Sequence, residues 1–245
     1  MLLYAPWDDR PVGTTGTDVG PQDGTGRSAA IGRAPVNPSR LDHVVTHGSF
    51  SIDGEDFAVD NNIWIVGNET ECLVIDAAHD AAPIVATIGG RRVTAIVCTH
   101  GHNDHINVAV ELADAVDAPI AIHGDDRMLW DVVYPNRAPD RMIADGDRFT
   151  AGGVELRALH TPGHSPGGVS LYDEAGGRVF SGDTLFHGGP GATGRSFSSY
   201  DTIIESIRTR LFTLPPATVV HTGHGEDTTI SAEAGAYDDW VTRGH

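Results

Sequence analysis

The sequence predicts a layered α/β domain whose central strands are mainly antiparallel or mixed. Short apolar runs of strand type dominate from Leu41 onward, helical periods separate them, and the second half repeats the alternation of the first. "VVTHGSFSI", "NIWIVG" and "CLVID" come first, rich in β-branched and aromatic residues. "AAPIVATIGG" has helical spacing and ends on a glycine pair, and "VTAIVC" follows as a strand. "NVAVELADAV" reads as a helix, "PIAIH" as a short strand, and the segment carrying Met128, Leu129, Trp130 and Tyr134 as a loop or helix. In the second half "GVELRALH", "GGVSLYD" and "GRVFSGD" are strands and "YDTIIESIRTRLF" is a helix. "TVVHTG" is a further strand, and a last helix runs through "AEAGAYDDW".

A chain of 245 residues is long enough to bury one sizeable core. Residues 1–40 are rich in Gly, Pro, Thr and Asp without an apolar period, so they are expected to form a flexible or extended N-terminal arm. The domain itself is expected to span 41–245. The opening "MLLYAPW" lacks the basic flank and apolar length of a signal peptide, and no run approaches the roughly 18 apolar residues of a membrane span. A soluble, cytoplasmic protein with no membrane partner is expected.

Asp and Glu number 34 against 16 Lys plus Arg, a net charge of -18, which repels nucleic acid and anionic lipid alike. A small-molecule substrate is the expected partner, and the sequence specifies no oligomeric state. All the basic residues are Arg, the codon bias of a GC-rich genome, so chemistry that needs a lysine amine is excluded. Cys72 and Cys98 each lie in an apolar strand and are expected to be reduced, buried and structural.

The stretch "CTHGHNDHINVAVEL" crowds His100, His102, Asp104 and His105 into six positions. Three other strands end beside Gly at His164 ("TPGHSPGG"), Asp183 ("SGDTLF") and His224 ("HTGHGE"). Imidazole and carboxylate are zinc ligands, and a catalytic site leaves a position for water. In a tight turn His100 and His102 can address one centre while Asp104 and His105 address another. Asp183, with two oxygens, suits a bridge, and His164 and His224 can complete one side each. A lone strand histidine is usually structural; the coincidence of all these positions is what points to metal.

"THGHNDH" matches the pattern H-x-H-x-D-H, and with "TPGHSPGG", "SGDTLF" and "TGHGE" the chain from Leu41 to its end resembles the metallo-β-lactamase superfamily, in its glyoxalase II-like branch. The resemblance implies a four-layer αββα sandwich with the site at one edge of two sheets. It assigns the first metal to His100, His102 and His164, the second to Asp104, His105 and His224, and the bridge to Asp183. It makes Asp76 a carboxylate behind the metal loop, where a plain turn-capping role is the alternative. "FHGGPGATGRSFSSYD" falls where relatives carry a substrate loop, so Arg195 is a substrate-binding candidate, and Trp130 and Tyr134 are candidates for the pocket wall. His79, His123, His160, His187 and His221 are expected to be hydrogen-bonding or rim residues.

Asp183 stands where well-known β-lactamases carry Cys, which argues against antibiotic hydrolysis, and His102 stands where diiron flavoproteins carry Glu. The implied activity is hydrolysis of an acyl bond, most simply a thioester, by a hydroxide between two divalent metals, zinc or else iron or manganese. On this resemblance Asp104 and Asp183 are expected to be the catalytic carboxylates. The absence of lysine, and of a helical domain after His224, argues against glutathione. Resemblance to actinobacterial mycothiol-linked members implies S-acyl or S-formyl mycothiol. Lactonase, mononuclear iron persulfide dioxygenase and a non-catalytic metal-binding module are the competing readings.

Overall fold

The computed structural model describes residues 39–244, so the expected arm lies outside the described residues except for Ser39 and Arg40. The first sheet opens with a long antiparallel hairpin, β1 (Arg40–Ile52) and β2 (Glu55–Gly67), turning at Asp53-Gly54, the residue pair that two-residue hairpins favour. Next come β3 (Glu71–Ile75), α1 (Ala81–Ile88), β4 (Arg92–Val97), α2 (Asn103–Ile106), α3 (Ala109–Val116), β5 (Ile120–His123), α4 (Arg127–Val133) and β6 (Arg141–Ile143). The order in this sheet is β1-β2-β3-β4-β5-β6, antiparallel as far as β3 and parallel from there.

The second half begins with β7 (Arg148–Ala151), β8 (Val154–His160), β9 (Val169–Asp173) and β10 (Arg178–Gly182). A two-stranded excursion, β11 (Leu185–Phe186) and β12 (Gly189–Pro190), precedes α5 (Tyr200–Ser206), which runs into a π-helical turn at Ile207–Leu211. The chain then forms β13 (Val219–Thr222), β14 (Thr228–Thr229), α6 (Ile230–Ala234) and α7 (Tyr237–Arg243). The second sheet has the order β14-β13-β10-β9-β8-β7, with β10 and β13 parallel and every other pair antiparallel.

Side chains alternate across each strand, and this builds three apolar layers from two sheets. Ile63, Ile65, Cys72, Val74, Ile96, Ile120 and Ile122 face outward under α1, α3 and α4. Their neighbours Trp64, Val66, Leu73, Ile75, Val97 and Ala121 face inward, against Leu156, Ala158, Val169, Leu171 and Phe180 of the second sheet. Leu159, Tyr172, Val179 and Val220 cover the far face, packed on Ile203, Ile207, Leu211 and Trp240. Helices, sheet, sheet, helices is the αββα order. Burial on both faces explains why the central strands read as continuous apolar runs. Cys72 and Cys98 are free and buried, and burial raises the Cys98 thiol well above its usual value.

Several expectations change in detail. The last helix is two helices, separated at Gly235–Ala236, with Thr229 capping the first through a 3.2 Å bond from the Ala232 N–H. The short edge strands β6 and β7 were not foreseen. Trp130 and Tyr134 do not line the pocket. Trp130 is fully buried under the first sheet with Nε1 donating to the Arg137 carbonyl at 2.6 Å, and Tyr134 packs beside it with its hydroxyl donating to the Ile106 carbonyl at 2.7 Å. No helix among the described residues is long and apolar enough to cross a membrane.

Candidate metal centre

Strands β4, β8, β10 and β13 all end at the same edge of the sandwich, and the candidate ligands lie in the segments just beyond those ends. His100 and His102 follow β4, and the short helix α2 presents Asp104 and His105 in succession. His164 lies between β8 and β9, Asp183 follows β10, and His224 follows β13. His100, His102 and His164 place one nitrogen each within 4.8 Å of one another, as do the donor atoms of Asp104, His105 and His224 and those of His100, His105 and Asp183. His102 Nδ1 lies 2.9 Å from His164 Nε2, and His105 Nε2 lies 3.1 Å from His224 Nε2. Two nitrogens across a tetrahedral zinc stand about 3.3 Å apart, given Zn–N distances near 2.0–2.1 Å. Asp183 reaches both groups, with Oδ1 at 3.3 Å from His105 Nε2 and Oδ2 at 3.5 Å from His164 Nε2 and 3.3 Å from His224 Nε2.

The donor set fits divalent metal on a further observation. His100 Nε2, Asp104 Oδ1 and Asp183 Oδ1 are buried without a hydrogen-bond partner, three acceptor-capable atoms of the ligand set. Burial keeps His100 well below the usual imidazole range and lowers His102 to about 3, so both are neutral. Burial pulls His105 and His224 the same way, but Asp183 outweighs it with help from Asp104. His105 is therefore held well above its usual value and His224 is raised to about 10. Burial would raise the Asp183 carboxyl, yet His105 and His224 hold it well below the carboxylate range. Metal binds through the unprotonated nitrogens of these rings, so its affinity depends on pH.

The ligands are held from behind. Asp76, with 2 % exposure, accepts from the Thr99 N–H at 2.7 Å and the Thr99 hydroxyl at 2.9 Å, and pairs with His105 Nδ1 at 2.9 Å. That last bond leaves His105 Nε2 as the ligand nitrogen. His164 Nδ1 donates to the Ala192 carbonyl at 2.8 Å and His224 Nδ1 to the Asp60 carbonyl at 2.7 Å. The fully buried Asn61 was not foreseen: its Nδ2 lies 3.2 Å from Asp104 Oδ2, and its Oδ1 accepts from His79 Nε2 at 2.8 Å. Asn62 bridges the sheets, donating to the Thr222 and Gly225 carbonyls at 3.1 and 3.0 Å. The signal for both was present in "DNNIW", two amides inside an apolar strand, a placement that demands partners.

A cavity of about 650 Å³ opens onto His102, Asp104, His164, Asp183 and His224. The β1–β2 hairpin walls one side with His47, Phe50, Ala58, Val59 and Asp60, and Phe186 and Ala192 wall another. Arg195 is not in the wall: its guanidinium pairs with Glu55 at 2.6 Å and lies 5.4 Å from the Phe57 ring centre, so its charge is spent on the hairpin tip. Of the remaining histidines, His123 and His160 stack with ring centres 4.1 Å apart, His221 pairs with Asp227 at 2.8 Å, and His187 is exposed.

The sequence profile described as the metallo-beta-lactamase superfamily matches residues 57–224. The "Probable metallo-hydrolase YqgX" of Bacillus subtilis is 32% identical over 186 residues, 70% of this chain and 88% of that one. The "Hydroxyacylglutathione hydrolase GloC" of Haemophilus influenzae is 30% identical over 187 residues, 70% of this chain and 87% of that one. Among solved structures, TTHA1623 in a di-iron-bound form superimposes with a TM-score of 0.65 at 33% identity, covering 72% of this chain and 93% of that one. With its two-sheet sandwich and its edge cluster of histidines and carboxylates, the chain belongs to the metallo-β-lactamase superfamily, as a metal-dependent hydrolase.

Proposed function

We propose that the chain hydrolyses an acyl thioester with two divalent metals, and that the thiol carrier is uncharged, of the mycothiol type. The observation that carries the reading is the bridging position of Asp183 between two ligand trios at the floor of the cavity. The di-iron form of TTHA1623 supports the two-metal count, and the activity in the name of GloC supports the thioester. Zinc suits the imidazole-rich set as well as iron does.

Bound divalent metals supply Lewis acidity, which lowers the pKa of a water and polarises an acyl carbonyl. Asp104 and Asp183 line the cavity among the metal ligands, where their carboxylates would hold the metals and orient a water beside them. Phe50, Ala58, Val59 and Phe186 give the wall an apolar surface for an acyl chain. The thiolate leaves without a dedicated acid, because thiols have pKa values near 8.5.

The choice of carrier follows from charge. Glutathione brings carboxylates, which binding sites ordinarily meet with Arg or Lys. Among the described residues no arginine lines the cavity, and the chain has no lysine, whereas Asp60, Asp104 and Asp183 line it. A sugar–inositol thiol carries no such charge. The test is metal analysis of the purified chain followed by a panel of S-formyl and S-acyl mycothiol, glutathione thioesters and lactones. About two metals per chain and preference for mycothiol thioesters are expected. Turnover of glutathione thioesters alone, or of lactones alone, refutes the carrier or the bond respectively, and one iron with oxygen uptake on a persulfide refutes the hydrolysis reading.

A further inference from the structure

Asp126 ends a single 3₁₀ turn, Gly124–Asp126, that follows β5, and it is fully buried without an ion-pair partner among the described residues. Its carboxylate instead takes hydrogen bonds from two separate loops. Oδ2 accepts from the Gly101 N–H at 2.7 Å and from the Ser165 hydroxyl at 2.7 Å, and Oδ1 accepts from the Gly167 N–H at 2.6 Å. Gly101 sits between His100 and His102, and Ser165 is next to His164. All three ligands of one trio therefore adjoin a donor to this one carboxylate.

Glycine is required where the two loops meet Asp126. A Cβ at Gly101 would lie 3.0 Å from the Asp126 carbonyl oxygen, and one at Gly167 would lie 2.6 Å from its backbone nitrogen and 2.8 Å from its Cγ. The second trio has other supports: Asp76 behind His105, Asn61 beside Asp104, and the Asp60 carbonyl behind His224.

We infer that Asp126 is a positioning residue for the metal held by His100, His102 and His164, its carboxylate fixing the spacing of the two loops that carry them. This rests on the two-metal reading above. All three partners are N–H or O–H groups, so an amide in place of the carboxylate must point its NH₂ at a donor in either orientation. Asp126→Asn keeps the shape and loses the clamp.

The experiment measures zinc and cobalt affinity, with the cobalt absorption spectrum, for Asp126→Asn in two backgrounds. His224→Ala leaves the first trio intact and His164→Ala the second. Asp126→Asn is expected to weaken metal about 10- to 100-fold in the His224→Ala background, as loss of a supporting hydrogen bond does elsewhere, and to change the cobalt spectrum there. In the His164→Ala background affinity and spectrum are expected to stay. Equal weakening in both, or no change in either, overturns the inference. Should the Asn variant fail to fold, Ser165→Ala removes one donor only. It is expected to weaken the first trio by a smaller factor with the same selectivity, and unchanged affinity overturns the inference. If the His224→Ala chain binds no metal, the two-metal reading falls instead. The inference is then judged on the wild-type site, where Asp126→Asn must still weaken total affinity.

Discussion

Replacing Asp76 by Asn tests whether the carboxylate behind His105 sets the ligand's tautomer. Asp76 has φ 62°, a left-handed conformation that Asn tolerates, so the backbone is preserved. In the native site the Thr99 N–H and His105 Nδ1 converge on the two Asp76 oxygens at 2.7 and 2.9 Å. An amide can accept at one position only. With its NH₂ toward His105 it donates to Nδ1 and drives the proton to Nε2, the nitrogen that faces His224 and Asp183. With its NH₂ toward Thr99 it leaves two donors opposed beside His100, at a cost of about 1–3 kcal/mol. Either orientation is expected to weaken metal about 10- to 100-fold, equivalent to about 1.4–2.7 kcal/mol. The assay is competition against a chelating dye at pH 7.5, with circular dichroism to confirm the fold. Affinity within twofold of wild type in a folded variant would refute the tautomer reasoning.

Asp183→Ala removes the carboxylate that reaches both trios, and His102→Ala removes a neutral ligand; each is expected to abolish hydrolysis with the fold retained, checked by turnover and circular dichroism. Trp130→Ala is expected to cost about 3–5 kcal/mol of stability in urea unfolding, as large core truncations do, while kcat/KM of the folded fraction stays near wild type because Trp130 lies outside the cavity wall. Burial raises the Tyr134 hydroxyl to about 12 from 10.0, so the folded state holds that proton more tightly than the unfolded state. Stability should be fully present below about pH 10 and decline as pH rises towards 12; Tm against pH should show this segment in wild type and not in Tyr134→Phe. Phe50→Ala, whose ring centre lies 5.1 Å from that of His102, is expected to raise KM for long acyl chains more than for formyl, measured on a chain-length series.

The ligand loops were legible because each is local: a turn of a few residues fixes which side chains converge, and strand ends supply the turns. Their supports were not, since Asn61, Asp60 and the hairpin wall come from a strand pair far away in the chain, and only a tertiary contact gives them a role. Trp130 and Tyr134 show a different ambiguity. Helical spacing says that one face is buried but not against what, and the outer face of the first sheet claimed both. Arg195 was readable as a free charge only because Glu55, its partner, lies on the other side of the fold's sequence. The αββα order itself follows from alternation within the central strands, while β6 and β7 escaped notice because edge strands of three and four residues are too short to show a period.

Each trio takes ligands from both sheets. An ion joining His102 to His164 closes a span of 62 residues, and one joining His105 to His224 closes a span of 119. Such an ion is a reversible cross-link between the two halves of the chain, and the penalty for closing a loop rises only slowly with its length. The folded state therefore gains stability from free metal by mass action, about 2.7 kcal/mol when the ion stands at 100 times its dissociation constant. Heat resistance in this protein becomes a readout of metal supply, added to the docking that the apolar layer between the sheets provides by itself.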